Sequence, residues 1–219
     1  IFFFIGSIYF YYTLNLFYSR NISILGFIIF ILHPRIFAQS FYNSKDIIFL
    51  VFFCISNFYL INYFITRKIK FLFILSIITS FAIGTRVMGL IIPFLFIIFF
   101  IFENLEKNKF KIIFLIFPFL LMTFLFTILF WPYLWENPLN IVLSLTSMSN
   151  YDWKGLVFFE NTYYSAKYLP WYYLPKTILI TTPLLHILLF IIGSFFLVKF
   201  LIKNIINLEN NNNIWKSSE

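Results

Sequence analysis

What most limits the possible folds of this chain is its run structure: long apolar stretches, some with no charged side chain, separated by brief polar punctuation. From Ile47 to Thr66, and again from Ile112 to Trp131, there is no Asp, Glu, Lys or Arg. Only 11% of the 219 residues are charged and 62% are hydrophobic, whereas a soluble domain carries about a quarter charged residues to cover its wet surface. The bilayer is therefore the expected solvent. Lipid offers no partner to backbone N–H and C=O groups, so each run must satisfy its own as a helix, despite an Ile and Phe content that elsewhere favours strands. At about 20 residues per crossing, about seven membrane segments can be marked, near 1–18, 21–33, 47–66, 71–85, 87–102, 112–131 and 177–202. The segments 21–33 and 71–85 are short for a crossing, so each extends past polar residues or enters at a protein-lined cavity. The expected fold class is all-α: a polytopic transmembrane helix bundle over residues 1–202, with one long extracytoplasmic loop at 132–176 and a polar cytoplasmic tail at 203–219.

The charge balance of +8 does not point to nucleic acid, because the basic residues lie singly or in short groups between apolar runs and form no basic stripe. Anionic lipid headgroups are the better partners. Counting Lys and Arg in alternate connections puts ten of the 16 on one side, including the tight groups Arg67-Lys68-Ile69-Lys70 and Lys107 to Lys111. That side is expected to be cytoplasmic. The non-apolar stretches 33–46 and 132–176 then face outward together, and function is expected there. Cys54, alone in an apolar run, gives no disulfide framework and no metal cluster, and reads as a small buried hydrophobe. The chain begins at Ile1, already inside an apolar run, with no readable signal peptide, and is expected to be a fragment missing its N-terminus.

An ionisable residue near hydrocarbon costs about 2.5–3.5 kcal/mol on insertion scales, so each one is a functional hypothesis. Pro34 should end the second helix and the next should begin at Ile47, which sets Asp46 at a helix N-terminus. A plain N-cap accounts for Asp46 as well as a functional role does. Yet Arg35, Lys45 and Asp46, with His33 nearby, make a charged ledge where basic groups can grip a phosphate and a carboxylate can orient an acceptor. In Gly84-Thr85-Arg86-Val87-Met88-Gly89 there is no room for a hydrated loop, so Arg86 either snorkels to headgroups or binds a lipid-linked phosphate through its guanidinium fork. The loop holds Trp131, Tyr133, Trp135 and Glu136, then Asp152, Trp153, Lys154 and Glu160, then Tyr168 and Trp171. An aromatic belt explains the Trp and Tyr, but a belt needs no acids, and aromatic faces beside carboxylates suit sugar rings. His186, expected within the last helix, reads as a hydrogen bond between helices.

The stretches HPRIFAQSFYNSKDI (33–47), GTRVMGLIIP (84–93), WPYLWENP (131–138) and YLPWYYLPKTILITTP (168–183) occur in the order that resembles the GT-C membrane glycosyltransferases. The resemblance is in particular to the protein O-mannosyltransferases and the bacterial aminoarabinose-to-lipid-A transferases, the family 39 type. The resemblance implies an integral inner-membrane enzyme with its active face outward. It would move a sugar from a polyprenyl-phosphate donor to a lipid, glycan or protein acceptor, with no cofactor beyond that co-substrate. It implies Asp46 as a catalytic acidic position and Lys45 and Arg86 as donor-phosphate contacts; the residues themselves add Arg35 as a further phosphate contact and the aromatic loop as the sugar and acceptor surface. The family's first outer loop carries a further acid, ahead of the matched stretches, which this sequence lacks. Two other readings remain open on the residues alone: a transporter or flippase for a lipid-linked or small solute, and a membrane assembly subunit without chemistry of its own.

Overall fold

The computed structural model describes residues 1–103, 109–149 and 155–206. Within them the chain is mostly helical, with eleven α-helices, two short 3-10 turns and one two-stranded hairpin. It divides into two compact units, residues 1–141 and 142–206 among those described.

The first unit opens with α1 (Phe2–Leu14) and α2 (Arg20–Ile31). The expected helix to residue 18 stops at Leu14, because Phe17 and Tyr18 turn their N–H groups back onto its carbonyl so that α2 can return alongside. Helix α3 (Pro34–Tyr42) lies within the non-apolar ledge at 33–46, ahead of the helix expected to start at Ile47. Pro34 does end α2, yet it also starts α3: its fixed φ and missing N–H suit the first helical position, and His33 Nδ1 accepts the Ile36 N–H. The two helices meet at 57°. Helix α4 (Ser44–Thr66) begins three residues ahead of its apolar run, and α5 (Ile69–Thr85) follows. A 3-10 turn, Val87–Leu90, leads into α6 (Ile91–Glu103); α7 (Lys109–Phe130) and α8 (Tyr133–Glu136) complete the unit.

Helix α4, at 23 residues, is about 34 Å long and apolar enough to cross a bilayer core of about 30 Å. By length and composition one described helix passes that test, or three if each of two bent pairs counts as one span, and several apolar helices are shorter.

Directions alternate. Gly6 faces Val51 and Tyr9 meets Phe58, so α1 and α4 run parallel. Phe10 stacks on Phe30 at 4.6 Å and Gly26 meets Leu14, so α2 runs back against α1. Phe81 stacks on Phe130 at 4.4 Å, bringing the C-terminal ends of α5 and α7 together. One end of the unit therefore carries the start of α4 and the finish of α5 and α7. The far end of α4 carries Arg67, whose guanidinium lies 5.1 Å from the Phe64 ring centroid.

The core of this unit is aromatic: Phe96 and Phe119 pack at 4.2 Å among Leu60, Phe64, Leu75 and Phe100. Small residues let the helices approach. A Cβ on Gly6 would lie 3.0 Å from Val51 Cγ2, and the hydroxyls of buried Ser7, Ser76 and Thr127 donate to carbonyls four residues back, so they bury no open polar group.

The second unit departs furthest from expectation. Helix α9 (Asn140–Ser149) spans the boundary; β1 (Leu156–Phe159) and β2 (Thr162–Ser165) then form an antiparallel hairpin inside the stretch read as loop in an all-α fold. The run 177–202 is two helices, α10 (Tyr173–Thr181) and α11 (Leu184–Ile206), bent by 113° at Thr182-Pro183, and His186 lies in the first turn of the second. Pro183 has no N–H to continue the ladder.

Candidate functional site

Helix α4 starts where it does because of Asn43. Its side-chain Oδ1 accepts the Asp46 N–H at 3.3 Å, which makes Asn43 the N-cap and moves Asp46 to the third helical position. The expected N-cap role of Asp46 is thus corrected. The carboxylate still serves the helix start, since Asn43 Nδ2 donates to Asp46 Oδ2 at 2.7 Å, a reciprocal cap between residues three apart. The signal was present in the sequence as Asn43-x-x-Asp46, a capping spacing just ahead of an apolar run.

Arg86 is the C-cap of α5. Its backbone is extended, its N–H donates to Ala82 O at 2.9 Å, and its carbonyl accepts the Gly89 N–H at 2.8 Å. Gly89 permits this tight turn: a Cβ there would sit 2.6 Å from the Ile83 backbone nitrogen. So fixed, Arg86 donates from Nη2 to Asp46 Oδ1, an ion pair between residues forty apart. The side chains are 35% and 47% exposed, and pairs that wet contribute on the order of 1 kcal/mol or less. The buried core holds α4 against α5; the pair is a consequence of that packing. Arg86 Nε is buried and donates to no partner among the described residues.

Of the other expected site residues, Lys45 is exposed beside Asp46 with no hydrogen bond among the described residues, and Arg35 is exposed in the first turn of α3. Trp131, Tyr133, Trp135 and Glu136 follow α7 at the end that carries Asp46 and Arg86. There Trp135 Nε1 donates to Ile128 O at 2.8 Å, Asn140 Nδ2 donates to Tyr133 O at 3.2 Å, and Leu134 is fully buried. Tyr168 and Trp171 belong to the second unit and are strongly exposed. Asp152 and Trp153 lie outside the described residues.

The second unit has a polar cluster that sequence reasoning missed as a cluster. Glu160 and Asn161 form the two-residue hairpin turn with φ of 51° and 62°, the left-handed pair that such a turn requires. Lys176 of α10 pairs with Glu160, Tyr172 Oη donates to Glu160 Oε2 at 3.2 Å, and Phe159 meets the Tyr173 ring edge-on at 5.0 Å. The Lys176 ammonium holds the Glu160 carboxyl below the usual carboxylate range, and that carboxylate pushes the Tyr172 phenol up. The signal was Glu-Asn between two short aromatic strands, a weaker hairpin marker than Asn-Gly.

Among the described residues no three His, Cys, Asp or Glu side chains gather as a metal site would need. The first-unit arrangement offers an anchored guanidinium with donors to spare, a neighbouring ammonium and a carboxylate of fixed orientation. It can bind an oxyanion and orient a hydroxyl. Comparison with known protein families, curated proteins and solved structures returns no match to this chain.

Proposed function

We propose that this chain is a multi-spanning membrane glycosyltransferase of the GT-C kind. It takes a sugar from a polyprenyl-phosphate donor and delivers it to a lipid, glycan or protein hydroxyl on the extracytoplasmic face of the inner membrane, with about seven crossings and the basic groups of Arg67 to Lys70 inside. The observation that carries this reading is the meeting of Asp46 and Arg86. Two residues singled out separately in the sequence, forty positions apart, come into contact at one end of the bundle, with Lys45 adjacent and the aromatic stretch from Trp131 at the same end.

The reaction fits these groups. An acceptor hydroxyl oxygen attacks the anomeric carbon while the bond from that carbon to the phosphate oxygen breaks. Asp46 orients the hydroxyl and takes its proton; Arg86 and Lys45 stabilise the charge that leaves with the phosphate. The aromatic faces of Trp131, Tyr133 and Trp135 suit the C–H face of a sugar ring, with Glu136 on its polar rim.

The test is transfer of labelled sugar from polyprenyl-phosphate donors in nanodiscs holding the full gene product that carries this sequence. Asp46→Asn and Arg86→Ala are each expected to remove transfer while the protein still inserts and migrates as a single species. Undiminished transfer by both variants rejects the site. The bent pairs, at 57° and 113°, favour a second reading as a carrier of a lipid-linked solute, since broken helices line such pathways. Movement of the labelled donor between leaflets without any sugar transfer selects it.

A further inference from the structure

In the proposed reaction Asp46 and Arg86 act on different partners, yet in this structure they occupy one another. Arg86 gives Nη2 to Asp46 Oδ1 while Asn43 gives Nδ2 to Oδ2, so each carboxylate oxygen already accepts a hydrogen bond. A guanidinium engaged by a carboxylate has fewer donors for a phosphate. A carboxylate so engaged has fewer lone pairs for a hydroxyl.

The two holds on Asp46 differ in kind. Asn43 is three residues away in the same helix start and grips both the backbone N–H and the side chain, whereas Arg86 arrives from another helix by one ion pair that water reaches. Arg86 is fixed by its backbone in the turn over Ala82 and Ile83, so the base of its side chain keeps its place when its partner leaves. A phosphate ester offers several acceptor oxygens and as much or more charge than the carboxylate, and guanidinium takes it in a bidentate way. Lys45, exposed and without a partner among the described residues, adds a second positive group beside Asp46.

We propose that the Asp46–Arg86 pair is a latch opened by the phosphate of an arriving phosphate ester. The phosphate takes Arg86, Asp46 is released, and Asn43, acting as a positioning residue, holds the freed carboxylate at the helix start to meet a hydroxyl. No covalent bond changes in this step. The carboxylate appears only when the phosphate is in place, which keeps it from activating a hydroxyl without a donor present. The assignment of Asp46 to a hydroxyl rests on the proposed glycosyltransferase reading; the exchange itself needs only anion binding.

The latch makes an unusual demand: removing the charge of Asp46 must strengthen phosphate binding, because the competing closed state is lost. Equilibrium binding is measured on the full gene product in nanodiscs, with labelled polyprenyl phosphate in the bilayer and, separately, inorganic phosphate in the buffer. Asp46→Asn is expected to bind up to about sixfold more tightly than wild type, the factor by which a closed state favoured by about 1 kcal/mol suppresses affinity. Arg86→Ala and the double variant are expected to lose binding alike. A gain with both probes supports the latch with the phosphate group alone as the key, and a gain with the lipid only supports it with the key borne on a lipid. No gain with either probe overturns it. Asp46→Ser serves where the Asn variant does not fold. If neither folds, the pair is a structural bolt and the proposal fails. Sugar transfer by wild type is read in parallel: tighter binding without any transfer keeps the latch and removes the enzyme reading, and transfer without tighter binding does the reverse.

Discussion

Two ion pairs among the described residues, one between helices and one from hairpin to helix, share their chemistry in different settings. Asp46–Arg86 joins the ends of two helices whose positions are set by side chains with no exposure at all, among them Leu75, Ala82, Phe96 and Phe119. Glu160–Lys176 joins a hairpin to α10 in a unit where no described residue is buried. In the first case packing positions the pair, and the pair is left free for exchange with a ligand. In the second the pair, with the Tyr172 phenol and the Phe159 ring, is much of what holds the hairpin to its helix. A salt bridge is therefore a candidate for chemistry where its removal leaves the surrounding fold in place, and a fastening where it does not.

That contrast can be broken at several points. The largest effect is expected from Phe96→Ala, which opens a cavity at the centre of the first unit and should cost about 3–5 kcal/mol in detergent-based unfolding. Phe190→Ala on the exposed flank of α11 should stay within about 0.5 kcal/mol. Similar costs for both would mean that the second unit has a core of its own.

Next comes Gly89→Ala, whose new methyl meets the backbone of Ile83 and forces the turn away from α5. About 1–3 kcal/mol is expected, together with loss of phosphate binding, since Arg86 moves with the turn. An unchanged binding curve in this variant would show that Arg86 does not need its anchor. Asn43→Ala removes the cap of α4 and should cost about 1 kcal/mol in the same unfolding assay.

The smallest effect on overall stability belongs to Glu160→Gln, which should leave global unfolding unchanged while hydrogen exchange quickens at the Leu156 to Ser165 amides. Acid should likewise lower the protection of these amides relative to their intrinsic exchange rate. Because the folded carboxyl titrates below its ordinary value, its contribution is fully present above the usual carboxylate range of about 4.3 and fades as pH falls through the lowered folded value. Hairpin protection, taken relative to the intrinsic amide exchange rate at each pH, that stays flat from pH 6 to strongly acidic conditions would remove the fastening role.

The sequence exposed the helical, apolar character of the chain and each member of the Asp46–Arg86 pair. It did not expose their contact, which depends on how α4 and α5 pack, and packing here follows small side chains such as Gly89 that carry no charge or pattern. Helix starts were misjudged where polarity was taken for non-helical structure: Ser44, Lys45 and Asp46 are polar and helical because Asn43 caps them. The break at Thr182-Pro183 was hidden by apolar residues on both sides, although Pro183 was in view. The hairpin was hidden because its strands are four residues each and its turn is Glu-Asn. The apolar runs give helices of which one to three are long and apolar enough to cross a membrane, but only the three-dimensional arrangement sorts which end of each run meets which.

The central claim is that the end bearing Asp46 and Arg86 does the work. The most direct test compares removal of one positive charge at each end of α4 and α5, with transfer of labelled sugar from a polyprenyl-phosphate donor measured for Arg86→Ala and Lys68→Ala in matched nanodiscs. The account predicts a loss of at least about a hundredfold for Arg86→Ala, the scale of a missing charge-stabilising donor, and near wild-type transfer for Lys68→Ala. Equal losses in the two variants, or full transfer by Arg86→Ala, would contradict it.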